Sequence, residues 1–323
     1  MPDINVAMIV GAQRSGTTWL QLLCAAHPKI AGSEELHLFS RYIGHVVAAY
    51  YNDRRQYADA GRSQGLPTLL SRDEFDGIVK DFAAAVFSKL MRGKPGAELA
   101  IEKTPDHVLH LHYIMHLFPK LKAIHVIRDP RDVVVSQLAA AASWGEDWAP
   151  KNAAEAAERW VEWVNIGRKY ATHANYMEVR YETLHRDGAR ELARVYDFLG
   201  YPLPAEQAAQ IFEQFTMANI KSGKAPNVLV IQREGVPAPA AGPAPSTPNP
   251  AAATPAPAPA ATPEKGKKPP EGFYRKGKAG GWRESLSAED VATIERIAGP
   301  LMRELGYAFA SESAPAPPAT ANA

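Results

Sequence analysis

Eight residues near the start of the chain, Gly11-Ala-Gln-Arg-Ser-Gly-Thr-Thr18, have the makings of an anion cradle. Gly11 and Gly16 keep the G-x-x-x-x-G spacing of a phosphate loop and follow directly on the apolar run Asn5–Val10. A strand, a glycine-bearing turn and a helix N-terminus together aim backbone N–H groups and the positive end of a helix dipole at a tetrahedral anion. In loops that take ATP or GTP, the residue after the second glycine is a lysine that reaches the outer phosphates. Here that residue is Thr17, and the nearby cation is Arg14. The loop therefore suits phosphate or sulfate groups but lacks the triphosphate lysine; a tight ligand-free turn is the plain alternative. A second anion site is spelled by Arg128-Asp-Pro-Arg-Asp-Val-Val-Val-Ser136, which follows the apolar stretch Ala123–Ile127. In an open α/β sheet, ligands gather at the C-terminal ends of the strands, where Arg128 emerges. An arginine fork with a hydroxyl from Ser136 is good phosphate chemistry. Taken alone, the same residues read as a charged helix start.

Together these segments resemble a known family. Gln13-Arg-Ser-Gly-Thr-Thr-Trp-Leu20 resembles the 5′-phosphosulfate loop of sulfotransferases that use 3′-phosphoadenosine 5′-phosphosulfate, usually P/R-K/R-S/G-G-T-T/S-x-L. The resemblance implies that Arg14, Ser15, Gly16, Thr17 and Thr18 hold the 5′-phosphosulfate, with Arg14 at the bridging oxygen. Arg128–Ser136 resembles the family's 3′-phosphate segment, I-x-x-x-R-x-P-x-D-x-x-x-S, with Arg128 and Ser136 at its two contact positions. Far downstream, Arg275-Lys-Gly-Lys-Ala-Gly-Gly-Trp282 resembles R-K-G-x-x-G-x-W, which implies that Arg275, Lys276 and Gly277 bind the same cofactor. Tyr181-Glu-Thr-Leu184 is similar to Y-E-D-L, whose tyrosine lies near the adenine; Thr183 replaces the usual acid.

Sulfuryl transfer needs a base for the acceptor hydroxyl and cations for the departing phosphate. Ser33-Glu-Glu-Leu-His-Leu-Phe39 follows the first strand–helix unit and resembles K-E-x-H-F-F of the glycan-modifying branch. That implies Glu35 as general base and His37 as a polar partner, although Glu34 stands where the branch has lysine. Ile101-Glu-Lys-Thr-Pro105 resembles E-K-S/T-P and puts Lys103 near the sulfuryl group. The phenol and steroid branch has its catalytic histidine directly after Lys-Thr; here that position is Pro105, and His107 is out of register. A solvated turn at Glu35 and a strand-end charge at Lys103 are the plain alternatives.

The elements that must position these groups alternate. Strands are expected at 5–10, 98–102, 123–127 and 176–179, and helices at 17–26, 106–117, 132–142, 153–171 and 190–199. Short apolar strands alternating with helices predict a three-layer α/β fold with a parallel sheet, the P-loop type that the resemblance implies. Trp160 and Trp163 are expected in the core. Trp144 and Trp148 read as packing anchors or an acceptor lid, and 42–70 with 144–151 as acceptor loops.

Composition narrows the function classes. Thirty-six Lys and Arg against 35 Asp and Glu give a net charge of +1, which argues against a general nucleic-acid binder. One cysteine, Cys24, excludes an intrachain disulfide and a cysteine zinc site. His107, His110, His112 and His116 lack a metal-ligand spacing, so no metal is expected. Neither a signal peptide nor a bilayer-length apolar run is visible, and a cytoplasmic location is expected. Twelve of the 27 prolines fall in 236–270, and 236–263 contains no charged residue. Such a stretch reads as an extended linker, and by composition it fits a junction between two domains equally well. The resemblance makes it an insertion: 1–235 and 271–310 form one domain, 236–270 is a Pro/Ala-rich spacer, and 311–323 is a tail. The expected partners are the donor 3′-phosphoadenosine 5′-phosphosulfate and an acceptor hydroxyl on a glycan, lipid or small alcohol. A P-loop kinase or nucleotidase and a catalytically silent binding module remain the alternatives.

Overall fold

The computed structural model describes residues 4–58, 61–62, 64–230 and 278–312. The Pro/Ala-rich stretch 236–270, the Arg275-Lys276-Gly277 triplet and residues 313–323 lie outside them. Among the described residues, five parallel strands form one sheet: β1 (Val6–Val10), β2 (Ile30–Gly32), β3 (Leu99–Lys103), β4 (Lys122–Ile127) and β5 (Tyr176–Arg180), in the spatial order β2-β3-β1-β4-β5. β1 is central and buried throughout. Its side chains alternate between two cores. Val6, Met8 and Val10 join one cluster, and Ala7 and Ile9 join the other.

The first core is closed by α3 (Arg72–Arg92), α4 (Leu111–Leu117), α6 (Ala153–Arg168) and α11 (Ala288–Glu304). The second is closed by α1 (Thr17–Ala25), α7 (Tyr181–Arg186) and α8 (Gly188–Leu199). Helices on both faces of a parallel sheet make the three-layer α/β architecture that the sequence predicts. α2 (Gly44–Asp53), α5 (Pro130–Ala141), α9 (Ala205–Gln214) and α10 (Met217–Lys221) complete the described helices of the α class. α11 packs on α6 and α5, so residues C-terminal to the proline-rich stretch lie against the first part of the chain.

Several boundaries differ from expectation. Residues 42–70 are largely helical rather than loop: a wide π-type turn at Leu38–Ile43 runs into α2. Tyr50 of α2 stacks on Phe75 at 3.8 Å, and this burial anchors the segment. The stretch 106–117 is two elements, a tight 3-10 turn at Pro105–His110 and then α4. Pro105 fixes the first turn, and His107 is drawn inward to Glu102. α5 begins at Pro130, whose preset φ suits a first helical position, and Asp129 caps it by accepting from the Arg131 N–H at 2.9 Å.

One lysine ties α1 to the sheet. Lys94 Nζ donates to the carbonyls of Ala25 (2.7 Å), His27 (2.7 Å) and Ile30 (2.9 Å). These carbonyls lie at the end of α1, in the turn that follows and at the first residue of β2, and that of His27 also accepts the Ile30 N–H at 3.1 Å. Lys94→Met is expected to lower the unfolding free energy by roughly 1–3 kcal/mol, read as a lower urea midpoint at unchanged slope.

Candidate active site

Each strand delivers one group at its C-terminal end. In spatial order these are Glu35 after β2, Lys103 closing β3, the 11–18 loop after β1, Arg128 after β4 and Tyr181 after β5. The point where crossovers diverge on either side of β1 is where ligands bind in such sheets.

The loop is shaped for a close anion. Gly16 caps α1 at φ 98°, with no side-chain cap and no acidic residue in the first turn. A Cβ on Gly16 would stand 2.4 Å from the Tyr181 ring, so glycine is needed both for the backbone and for the space. Arg14 also takes a left-handed conformation, at φ 72°, an uncommon cost for a non-glycine residue that concentrates at functional sites. The Ser15 hydroxyl is buried without a hydrogen-bond partner. Gln137 on α5 steadies the loop by donating to the Gln13 carbonyl at 3.1 Å.

The two anion motifs meet. Arg14 Nε donates to Ser136 Oγ at 3.0 Å, and Arg128 Nη1 donates to the Arg14 carbonyl at 3.3 Å. Arg128 lies over the Tyr181 ring at 4.2 Å, and its Nε is buried without a partner. Burial pushes the Tyr181 phenol above its ordinary pKa, with the nearby Arg128 opposing. Tyr181 itself is buried beneath the loop, with Trp19 at its edge. Trp144 reaches this cluster as well, 5.3 Å from the Arg14 guanidinium and 5.4 Å from Trp148.

The candidate base sits at the other end of the row. Glu35 is one-third exposed and forms an ion pair with Lys103, which is 3% exposed. Lys103 Nζ also donates to Thr18 Oγ1 at 3.1 Å. Carboxylate, buried cation and loop hydroxyl thus form one chain of contacts. His37 Nε2 stands 3.4 Å from Glu35. Burial pulls the His37 pKa below its ordinary value despite the nearby carboxylate, so this ring is neutral at pH 7.

His107 is not available as a base. Its Nε2 accepts the Phe39 N–H at 3.0 Å, which leaves the proton on Nδ1, 2.8 Å from Glu102. Glu102 is fully buried and also accepts from the Thr104 hydroxyl (2.5 Å) and the Leu36 N–H (3.3 Å). Burial raises the Glu102 pKa, but the His107, Thr104 and Leu36 interactions outweigh it and the net displacement is downward. This carboxylate pins the backbone of Leu36, next to Glu35, to β3. Among the described residues, no three His, Cys, Asp or Glu side chains converge as metal ligands, and no helix is long and apolar enough to cross a membrane.

The sequence profile described as the sulfotransferase family matches residues 7–205, more than half of the chain. The chain belongs to the sulfotransferase family. Nodulation protein NoeE of Sinorhizobium fredii is 30% identical over 134 residues, 41% of this chain and 30% of that protein. Protein-tyrosine sulfotransferase 1 of Mus musculus is 27% identical over 138 residues, 42% of this chain and 34% of that protein. The chain therefore matches only about a third of the length of these relatives. Among solved structures, retinol dehydratase in complex with androsterone and the inactive cofactor PAP shares the fold, with a TM-score of 0.50 and 18% identity over 95% of this chain and 83% of that one.

The sequence does not point to the residues that hold these groups in place. Trp160 is fully buried, as expected, yet its Nε1 donates to the Arg128 carbonyl at 3.0 Å. Glu182 accepts the Asp129 N–H at 2.9 Å. Glu102 was legible in principle, because a carboxylate inside a buried strand must find partners. Gln137 and Glu182 carry no such signal.

Proposed function

We propose that this chain transfers a sulfuryl group from 3′-phosphoadenosine 5′-phosphosulfate to an acceptor hydroxyl, with Glu35 as general base. The contact chain Glu35–Lys103–Thr18 carries the reading, since it joins a proton acceptor and a buried cation directly to the anion loop. The chain's own groups fit the donor. The buried, unpartnered Ser15 hydroxyl and Arg128 Nε, with the uncapped N-terminus of α1, are donors that lack an acceptor.

Bound there, the donor supplies the sulfuryl group and leaves as adenosine 3′,5′-bisphosphate. The loop residues Ser15 to Thr18 orient its 5′ end, and Arg128 with Ser136 holds the 3′-phosphate. Arg14 and Lys103 supply positive charge where negative charge develops on the departing phosphate. Glu35 accepts the proton of the acceptor hydroxyl, and His37, neutral at pH 7, stays beside it as a polar partner. Tyr181 forms the floor under the loop. Arg275, Lys276 and Gly277 complete the cofactor site by the motif they match, although they lie outside the described residues. One domain interrupted by 236–270 agrees with the seating of 278–312 on α5 and α6. No metal ligand is required in this scheme.

The acceptor comes from the β2 side of the row, where Glu35 is the exposed member. The test is a transfer assay with donor labelled in the sulfuryl group, run against a metabolite extract, with mass spectrometry of labelled products. Label in a hydroxyl-bearing product is the expected result. Magnesium-dependent ATP turnover without sulfuryl transfer would replace this reading with that of a kinase or nucleotidase. Bisphosphate binding with no transfer to any acceptor would replace it with that of a binding module.

A further inference from the structure

We propose that Asp132 is a positioning residue that sets Arg128 for the 3′-phosphate by clamping the returning segment 278–282 against it. The inference rests on the donor reading above. Asp132 is 1% exposed, on the first turn of α5. Its Oδ2 accepts the Gly280 N–H at 2.7 Å, and its Oδ1 accepts the Trp282 N–H at 2.9 Å. The same Oδ2 lies 3.8 Å from Arg128 Nη2. That Nη2 donates to the Lys278 carbonyl at 3.0 Å. A closed circuit results: the arginine holds the segment at Lys278, the carboxylate holds it at Gly280 and Trp282, and the carboxylate faces the arginine.

Neighbouring residues keep this circuit separate from the rest of the helix start. Arg131 is committed to Asp129, Glu295 and the Ala308 carbonyl. Its guanidinium also lies over the Trp282 ring at 4.0 Å, and that of Arg283 lies over the same ring at 4.4 Å. Trp282 is 4% exposed, so the segment is seated by a buried ring as well as by two N–H groups. With Nη1 on the Arg14 carbonyl and Nη2 on Lys278, the Arg128 fork is fixed at two points while Nε stays without a partner. Removing the Asp132 charge frees the segment and with it the Nη2 end of the fork, while Nη1 keeps the Arg14 carbonyl, so the loss falls on the 3′-phosphate rather than on the 5′ loop.

The test separates this role from a general one. Calorimetry compares adenosine 3′,5′-bisphosphate with adenosine 5′-monophosphate, which lacks the 3′-phosphate, on the full chain. The unaltered protein is expected to prefer the bisphosphate; equal affinities would overturn the donor reading itself. Asp132→Asn turns one acceptor into an NH2 that opposes a backbone N–H. It is expected to weaken the bisphosphate by about ten- to a hundredfold and to leave the monophosphate nearly unchanged. An unaltered preference in a folded Asp132→Asn protein, or an equal loss for both ligands, would overturn the clamp. Should that variant not fold, Gly280→Ala loosens the circuit from the other side. Gly280 sits at φ 75°, where a side chain is strained. The same selective loss is expected there, smaller in size, and its absence would count against the clamp equally.

Discussion

Glu35→Gln is expected to reduce turnover by about 10²- to 10⁴-fold, the usual contribution of a positioned general base. Glutamine keeps the shape of the side chain and still offers Lys103 a carbonyl oxygen, so the Lys103–Thr18 contact at 3.1 Å has no reason to move. What is lost is the ability to take a proton. Affinity for adenosine 3′,5′-bisphosphate is therefore expected to change little, because Glu35 stands at the β2 end of the row and Arg128 at the β4 end. Steady-state rates with the labelled donor, set beside calorimetry with the bisphosphate, check both halves. Unchanged turnover would remove Glu35 from the base position. His107 is no substitute, with one ring nitrogen on Glu102 and the other on the Phe39 N–H.

Ending the chain after Gly235 is expected to abolish folding and, with it, bisphosphate binding. The missing part includes α11, whose Ile294, Ala298, Leu301 and Met302 are buried, together with the buried Trp282. Each large apolar side chain contributes roughly 1.5–3 kcal/mol by burial. Their sum rivals a domain's whole net stability of about 5–15 kcal/mol. Arg131 would lose Glu295 and the Ala308 carbonyl, and Asp132 would lose both of its N–H donors. Shortening 236–263 by contrast is expected to leave binding intact, since closure entropy varies only slowly with loop length. Circular dichroism and calorimetry on both variants decide the matter. A truncated chain that folds and binds like the full one would show that 278–312 is dispensable.

The parts of this protein that could be read from its sequence are those where local chemistry dictates local structure. Apolar runs ending at Gly11 or Arg128 specify buried strands, because few other structures hide so much apolar surface over so few residues. The loop at 11–18 was legible because its glycines and Thr17 obey backbone geometry within eight residues. The short strand β2, at Ile30–Gly32, was not assigned, since three residues carry no periodicity. α3 does carry a local signal, the capping box of Ser71 with Glu74 in its first turn. Residues 42–58 carry no helical signal in the sequence because their order comes from contacts such as Tyr50 on Phe75, remote in sequence. The supports of the site were hidden for the same reason. Nothing near Asp132 in the sequence announces a partner at Gly280, and nothing near Trp160 announces the Arg128 carbonyl.

The row of groups along the strand ends gives the molecule a particular vulnerability. Its two ends, Glu35 and Tyr181, hang from the edge strands β2 and β5, whereas the anion loop and Arg128 hang from interior ones. Local opening spans free energies from near zero up to that of global unfolding, and an edge strand has fewer ladder partners to hold it. β2 is three residues long; it pairs with β3 on one side and is otherwise held by the Lys94 contact at Ile30 and the Val230 N–H at Gly32. Opening there that also breaks the Leu36 and His37 N–H contacts to Glu102 and Thr104 would carry the carboxylate away and leave the anion loop on β1. On the proposed roles, a sample opened at that edge would bind adenosine 3′,5′-bisphosphate without turning over, so ligand-binding assays alone would overstate its active fraction.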